Sequence, residues 1–106
     1  MMAASRETTE FQARPIDGSG LELVGELDLS TISILRDALQ AMPEGEQVTL
    51  DLGRLEFIDS CGLREISIYA HSLNGNGPLT LVNVPDRVAT LLEIVAFDKL
   101  SSIQIS

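Results

Sequence analysis

Residues 51–63 read Asp-Leu-Gly-Arg-Leu-Glu-Phe-Ile-Asp-Ser-Cys-Gly-Leu, and the change of pattern within this stretch decides how the chain folds. Up to Leu52 the pattern alternates, with Val48, Leu50 and Leu52 set against Thr49 and Asp51, the period of a strand with one buried and one wet face. From Leu63 onward the apolar residues Leu63, Ile66, Ala70 and Leu73 fall on one face of a helix. Between the two, the sequence predicts a short Gly-containing loop that delivers Ser60 as an exposed hydroxyl where the helix begins. The one-sided strand also argues against a doubly wound sheet, whose strands would be nearly continuous apolar runs, so the helices are expected on one face only.

Working outward, Leu21, Leu23, Gly25 and Leu27 alternate with Glu22, Glu26 and Asp28, a second one-sided strand. Ser30 and Thr31 offer N-cap oxygens to a helix whose inner face is Ile32, Leu35, Leu39 and Met42, ended by Pro43 and Gly45. Before this strand, Phe11, Ala13 and Pro15 form a short strand that the proline confines to a sheet edge, and Asp17-Gly18-Ser19-Gly20 is a hairpin turn. Residues 1–10 are polar and without an apolar repeat, and read as a flexible N-terminus. Downstream, Asn74-Gly75-Asn76-Gly77-Pro78 stops the central helix; it follows a helix and precedes a strand, which is punctuation and not a phosphate loop. Leu79 and Leu81 mark a strand, Pro85 suits the first turn of a helix with Val88, Leu91, Leu92 and Val95 inward, and Ile103 and Ile105 form a last short strand. The expected fold is α/β: residues 11–106 as one domain, a mixed four- to five-stranded sheet opened by an antiparallel hairpin, with helices packed on one face.

Composition limits the partners. At 106 residues the chain supports one domain, since two would each be too small to bury a useful core. A net charge of -9 and a pI near 4.3 exclude nucleic acid, whose phosphates need clustered Lys and Arg, and favour a partner with a basic face. No apolar run approaches the roughly 20 residues of a membrane span and no signal-peptide core is visible, so a cytoplasmic protein without direct membrane contact is expected. The acidity equally serves simple solubility. The single cysteine, Cys61, forms no internal disulfide and suits a reducing compartment. Cys61 and the single histidine, His71, would stand ~15 Å apart on one helix, too far to share a metal, and neither a metal nor a cofactor is expected.

Ser60 admits two local readings. It can cap the helix, a role in which alanine would cost ~1 kcal/mol. It can also accept a phosphate, which the unpaired amides and positive dipole of the helix start would receive while Asp59 alongside resists it. That balance suits a switch in which added charge changes what the surface binds at little cost to the fold. A catalytic serine is disfavoured, because a base must lie within hydrogen-bond reach and His71 would be ~16 Å along the same helix. Cys61 has a helix start to lower its pKa and acidic neighbours to raise it, and a small, partly buried residue is its commoner meaning.

At these residues the chain resembles the STAS domain family, specifically the bacterial anti-sigma factor antagonists. The family signature of a strand, an aromatic or apolar pair and Asp-Ser-Ser/Thr-Gly-Leu is matched by Leu55-Glu56-Phe57-Ile58-Asp59-Ser60-Cys61-Gly62-Leu63. Gly25-Glu26-Leu27-Asp28 with Ser30-Thr31 resembles the family's Gly-Glu-Leu-Asp segment, and Leu81-Val82-Asn83-Val84 with the following helix resembles its closing part. The resemblance covers roughly Phe11 to Ile105. It implies a mixed sheet with helices on one side, Ser60 as the residue phosphorylated by a cognate anti-sigma serine kinase, and a docking surface of Asp28, Ser30, Thr31, Asp59, Ser60, Cys61 and Gly62.

The implied mechanism is partner switching in transcription regulation. Unphosphorylated, the domain binds the anti-sigma kinase and frees the sigma factor; phosphorylated on Ser60, it is released until a phosphatase removes the group. ATP and magnesium would belong to the kinase, leaving this chain a substrate and regulator, not an enzyme. Cys61 departs from the usual Ser or Thr, and Ala96 stands where family members often have Gly. The alternative is a STAS subunit of another assembly, a lipid-transport complex or a stress-signalling scaffold, with Ser60 only a helix cap. A hydrolase or redox enzyme is disfavoured for want of a base or second thiol.

Overall fold

The computed structural model describes residues 11–16, 20–42, 47–73, 78–94 and 103–105. Five strands and three helices follow one another as β1 (Phe11–Ile16), β2 (Gly20–Leu27), α1 (Ile32–Gln40), β3 (Thr49–Ile58), α2 (Ser60–Ser72), β4 (Leu79–Val82), α3 (Asp86–Ile94) and β5 (Ile103–Ile105). They build one five-stranded mixed sheet in the order β1-β2-β3-β4-β5, antiparallel only between β1 and β2. Pro15 lies on the outer strand, where its missing N–H breaks no internal ladder. Because β2 to β5 step across the sheet in chain order, crossovers of one hand bring all three helices to the same face.

That face is built by the alternating leucines. Leu21, Leu23 and Leu27 of β2, Leu50, Leu52 and Leu55 of β3, and Leu79 and Leu81 of β4 are all buried. They form a single core with Leu35 and Leu39 of α1, Leu63, Ile66 and Ala70 of α2, and Val88 and Leu92 of α3. Fully burying one such side chain is worth about 1.5–3 kcal/mol, so this shared apolar layer outweighs the modest preferences of each helix alone. The opposite face carries Glu22, Glu26, Thr49 and Asp51, as the alternation requires.

Three expectations are corrected. Gly53 does not open a loop: β3 runs on through it to Ile58, with Gly53 and Arg54 both exposed before burial resumes at Leu55 and Ile58. The break in alternation is matched by register shifts against β2 between Glu22 and Val24 and between Gly25 and Glu26. Gly25 there has φ 100°, the left-handed region that glycine adopts without steric cost. Thr31 occupies the N-cap position of α1 without a side-chain cap bond. Pro85 precedes α3 instead of lying in its first turn, and its carbonyl accepts the Val88 and Ala89 amides at 3.0 and 2.8 Å. The expected Asp17 to Ser19 turn, the stops at Pro43 and Gly45 and at Asn74 to Gly77, and the readings of residues 1–10, Val95 and Ala96 lie outside the described residues.

Candidate functional site

Parallel pairing of β2 and β3 carries their carboxyl ends to the same edge of the sheet, the place where open α/β sheets form their sites. Leu27 pairs with Ile58, and the Asp59 amide donates to the Leu27 carbonyl at 3.2 Å. Asp28 and Asp59, each the first residue past its strand, are thereby set side by side. The β2–α1 turn and the β3–α2 junction form one surface.

The junction is capped by Asp59, not by Ser60. Asp59 has extended backbone, and its Oδ1 accepts the Gly62 amide at 3.0 Å, one of the donors a helix start leaves unpaired. Its carbonyl accepts the Leu63 amide at 3.0 Å. Ser60 is therefore the first helical residue, exposed, with no hydrogen bond to its hydroxyl from any described residue. Gly62 is needed for close approach: a Cβ there would stand 2.8 Å from Leu27 Cγ and 2.9 Å from Ile58 Cγ1, both inside the core. A small residue thus lets α2 begin directly over the end of β2.

The neighbouring turn is held by Thr31. Its buried hydroxyl donates to the Glu26 carbonyl at 2.9 Å and accepts the Asp28 amide at 2.9 Å, while the Asp28 carbonyl receives the Thr31 and Ile32 amides. Ser30 donates to Asp28 Oδ1 twice, from its amide at 3.0 Å and its hydroxyl at 2.7 Å. The Ser30 hydroxyl holds the Asp28 carboxyl below its ordinary value against the opposing effect of desolvation, with further help from the Ser30 amide and from Thr31. Leu29 projects from this same turn, 70% exposed. The strand ends thus present fixed negative charge, one large apolar side chain and a free hydroxyl.

A family model described as Mlab, STAS domain matches residues 11–104. The chain belongs to the STAS domain family. Solved structures similar to this STAS domain include an anti-sigma factor antagonist from Mycobacterium paratuberculosis, with a TM-score of 0.72 and 22% identity over 90% of this chain and 84% of that one. Another is the anti-sigma factor antagonist SpoIIAA in its unphosphorylated form, with a TM-score of 0.67 and 18% identity over 92% of this chain and 88% of that one. The likeness is one of fold: a mixed sheet with three helices. No curated protein matches the chain by sequence.

The residues singled out from sequence fall into distinct structural parts. Asp59, Ser60, Cys61 and Gly62 form the first turn region of α2, with Cys61 half-buried, while Asp28, Ser30 and Thr31 form the adjoining turn. Thr31 is buried and acts from below the surface. His71 lies in the last turn of α2, so the helix length separates it from Ser60 by ~16 Å. Among the described residues no cluster of His, Cys, Asp and Glu is placed to hold a metal ion, and no helix is long and apolar enough to cross a membrane.

Sequence reading missed two features. One is Leu29, whose position among Asp28, Ser30 and Thr31 in a turn was itself the signal. The other is a groove of about 450 Å3 between α1 and α2, lined by Arg36, Leu39, Glu65, Ile68 and Tyr69 among others. Arg36 closes one side by a two-pronged contact with Glu65, both bonds 3.0 Å. No local pattern pairs residues on different helices.

Proposed function

We propose that this STAS domain is an anti-sigma factor antagonist of a partner-switching system, in which Ser60 is the phosphorylated residue. The observation that carries the reading is the division of labour at the α2 start. Asp59 supplies the cap, so the Ser60 hydroxyl is exposed and spare for modification. A phosphate there would lie against the positive end of α2 while adding charge beside Asp59 and the Asp28 turn. The fold tolerates the group and the surface is changed by it.

In the unphosphorylated state the Asp28, Ser30, Asp59 and Ser60 surface, with Cys61 and Gly62 at its base and Thr31 bracing it, docks an anti-sigma serine kinase and so frees the sigma factor. Transfer of a phosphoryl group to Ser60 repels the kinase, and a phosphatase restores the docking state. The chain is substrate and regulator; nucleotide and magnesium belong to the kinase. This places its work in the cytoplasm. Its acidic balance supports a basic partner over nucleic acid or an anionic lipid surface. Support also comes from the two antagonist structures that share the fold, one of them described in an unphosphorylated form.

The test is a native pull-down with wild type, Ser60→Ala and Ser60→Asp chains. Recovery of an ATPase of the histidine-kinase-like class by the first two and not by the third is expected. Equal recovery by all three contradicts the switch.

The matching family model is that of a STAS domain and names no kinase or sigma factor, which leaves a second reading, a STAS subunit of another assembly such as a lipid-transport complex or a stress-signalling scaffold. Under it Ser60→Asp leaves partner binding unchanged. The cap role assigned to Ser60 in that reading is occupied by Asp59.

A further inference from the structure

The outer half of β3 is supported unequally. On one side β2 pairs with it as far as Ile58, whereas on the other β4 pairs only with Thr49, Leu50 and Asp51. Beyond Asp51 the place of the missing strand is taken by the segment leading into α3. Asn83, at φ 56°, donates from Nδ2 to Asp51 Oδ2 at 3.1 Å, and Asp51 Oδ1 accepts the Gly53 amide at 2.9 Å. Further along, Arg87 in the first turn of α3 reaches back to β3. Its Nε donates to the Glu56 carbonyl at 3.1 Å and its Nη2 to the Leu55 carbonyl at 3.4 Å. Arg87 and Glu56, with Phe57, Ile58, Val88 and Leu91, line a hollow of about 140 Å3 at this point.

Glu56 precedes Asp59 by three residues; between them Ile58 is buried in the core, and Ser60, directly after Asp59, is exposed. We propose that Arg87 is the positioning residue of the Ser60 junction: by holding the Leu55 and Glu56 carbonyls it fixes the end of β3 and hence how the hydroxyl is presented. A planar guanidinium bridges two successive carbonyls with directed donors, which a neutral amide at this position does not replace and a single ammonium replaces in part. The inference rests on Ser60 as the acceptor, and its structural half is measurable without a kinase.

Cys61, the only cysteine, reports on the first turn of α2. The experiment compares wild type, Arg87→Gln and Arg87→Lys by site-resolved amide exchange and by the rate at which Ellman's reagent modifies Cys61. Arg87→Gln is expected to speed exchange of the Asp59 and Gly62 amides and reaction of Cys61 by about tenfold, with amides of the β1–β2 hairpin unchanged. Arg87→Lys is expected to fall between the two. Unchanged junction rates, or equal acceleration throughout the domain, overturn the positioning role. Phosphate incorporation at Ser60 during co-expression with the kinase gives the functional arm. A loosened junction in Arg87→Gln with an unaltered rate of incorporation also overturns the proposal. A wild-type chain that takes no phosphate at Ser60 ends the functional reading instead, and the exchange and thiol rates still decide whether Arg87 sets the junction.

Discussion

The Asp59 carboxylate accepts the Gly62 amide at 3.0 Å, and this bond separates the structural duty of the junction from its exposed hydroxyl. Asp59→Ala is expected to destabilise the domain by about 1 kcal/mol, the usual loss for a cap, whereas Ser60→Ala changes stability by less than about 0.5 kcal/mol. Urea unfolding of the two variants checks the assignment, and a larger loss for Ser60→Ala reverses it.

Gly62 is the second structural requirement. In Gly62→Ala the new methyl meets Leu27 Cγ at 2.8 Å, and Leu27 is fully buried and cannot swing aside. Overpacking of this kind costs about 1–3 kcal/mol, more than the roughly 1 kcal/mol that alanine gains over glycine in a helix. A net loss in the urea midpoint is expected, together with shifted methyl resonances of Leu27 and Ile58.

Thr31→Val keeps the shape of a buried side chain and removes a hydroxyl that serves Glu26 and Asp28. Leaving the Asp28 amide unpaired is expected to cost about 1–3 kcal/mol and to loosen the Asp28 to Ser30 turn. Faster exchange of the Asp28 and Ser30 amides, measured against unchanged β4 amides, checks that the loss is local.

Arg36 and Glu65 form the one described ion pair, 47% and 14% exposed. The hydrogen bond from Arg36 holds the Glu65 carboxyl below its ordinary value of 4.5, against a smaller desolvation effect. A depressed folded value means that the contribution is present above the unfolded value and is lost as pH falls from about 4.5 through the folded one. Because Arg36 is half-exposed, Glu65→Gln is expected to cost less than about 1 kcal/mol at neutral pH. The difference from wild type should shrink at low pH and in high salt, as read from urea midpoints.

Most of the architecture was legible because burial imposes a period. Leu21, Leu23 and Leu27 can share one face only in a strand, and Leu63, Ile66 and Ala70 only in a helix. The continuation of β3 past Gly53 was not legible, because a register shift against β2 breaks the alternation just where glycine suggests a turn. Asp59 and Ser60 are both good caps by composition, and only the position of the helix start, one residue after Asp59, decides between them. Thr31 looked like a cap for the same reason, but the Glu26 carbonyl and Asp28 amide compete for its hydroxyl and win. Arg87 reaches Glu56 across 31 positions of chain, a contact made by the ending of β4 and not by any local motif.

The central claim is that Ser60 is the switch residue. Its most direct measurement is intact-mass and peptide mass spectrometry of the chain after reaction with its cognate kinase, ATP and magnesium. One added phosphate located on Ser60, and none on the Ser60→Ala chain, is the predicted result. A phosphate located on another residue, or retained by Ser60→Ala, contradicts the account.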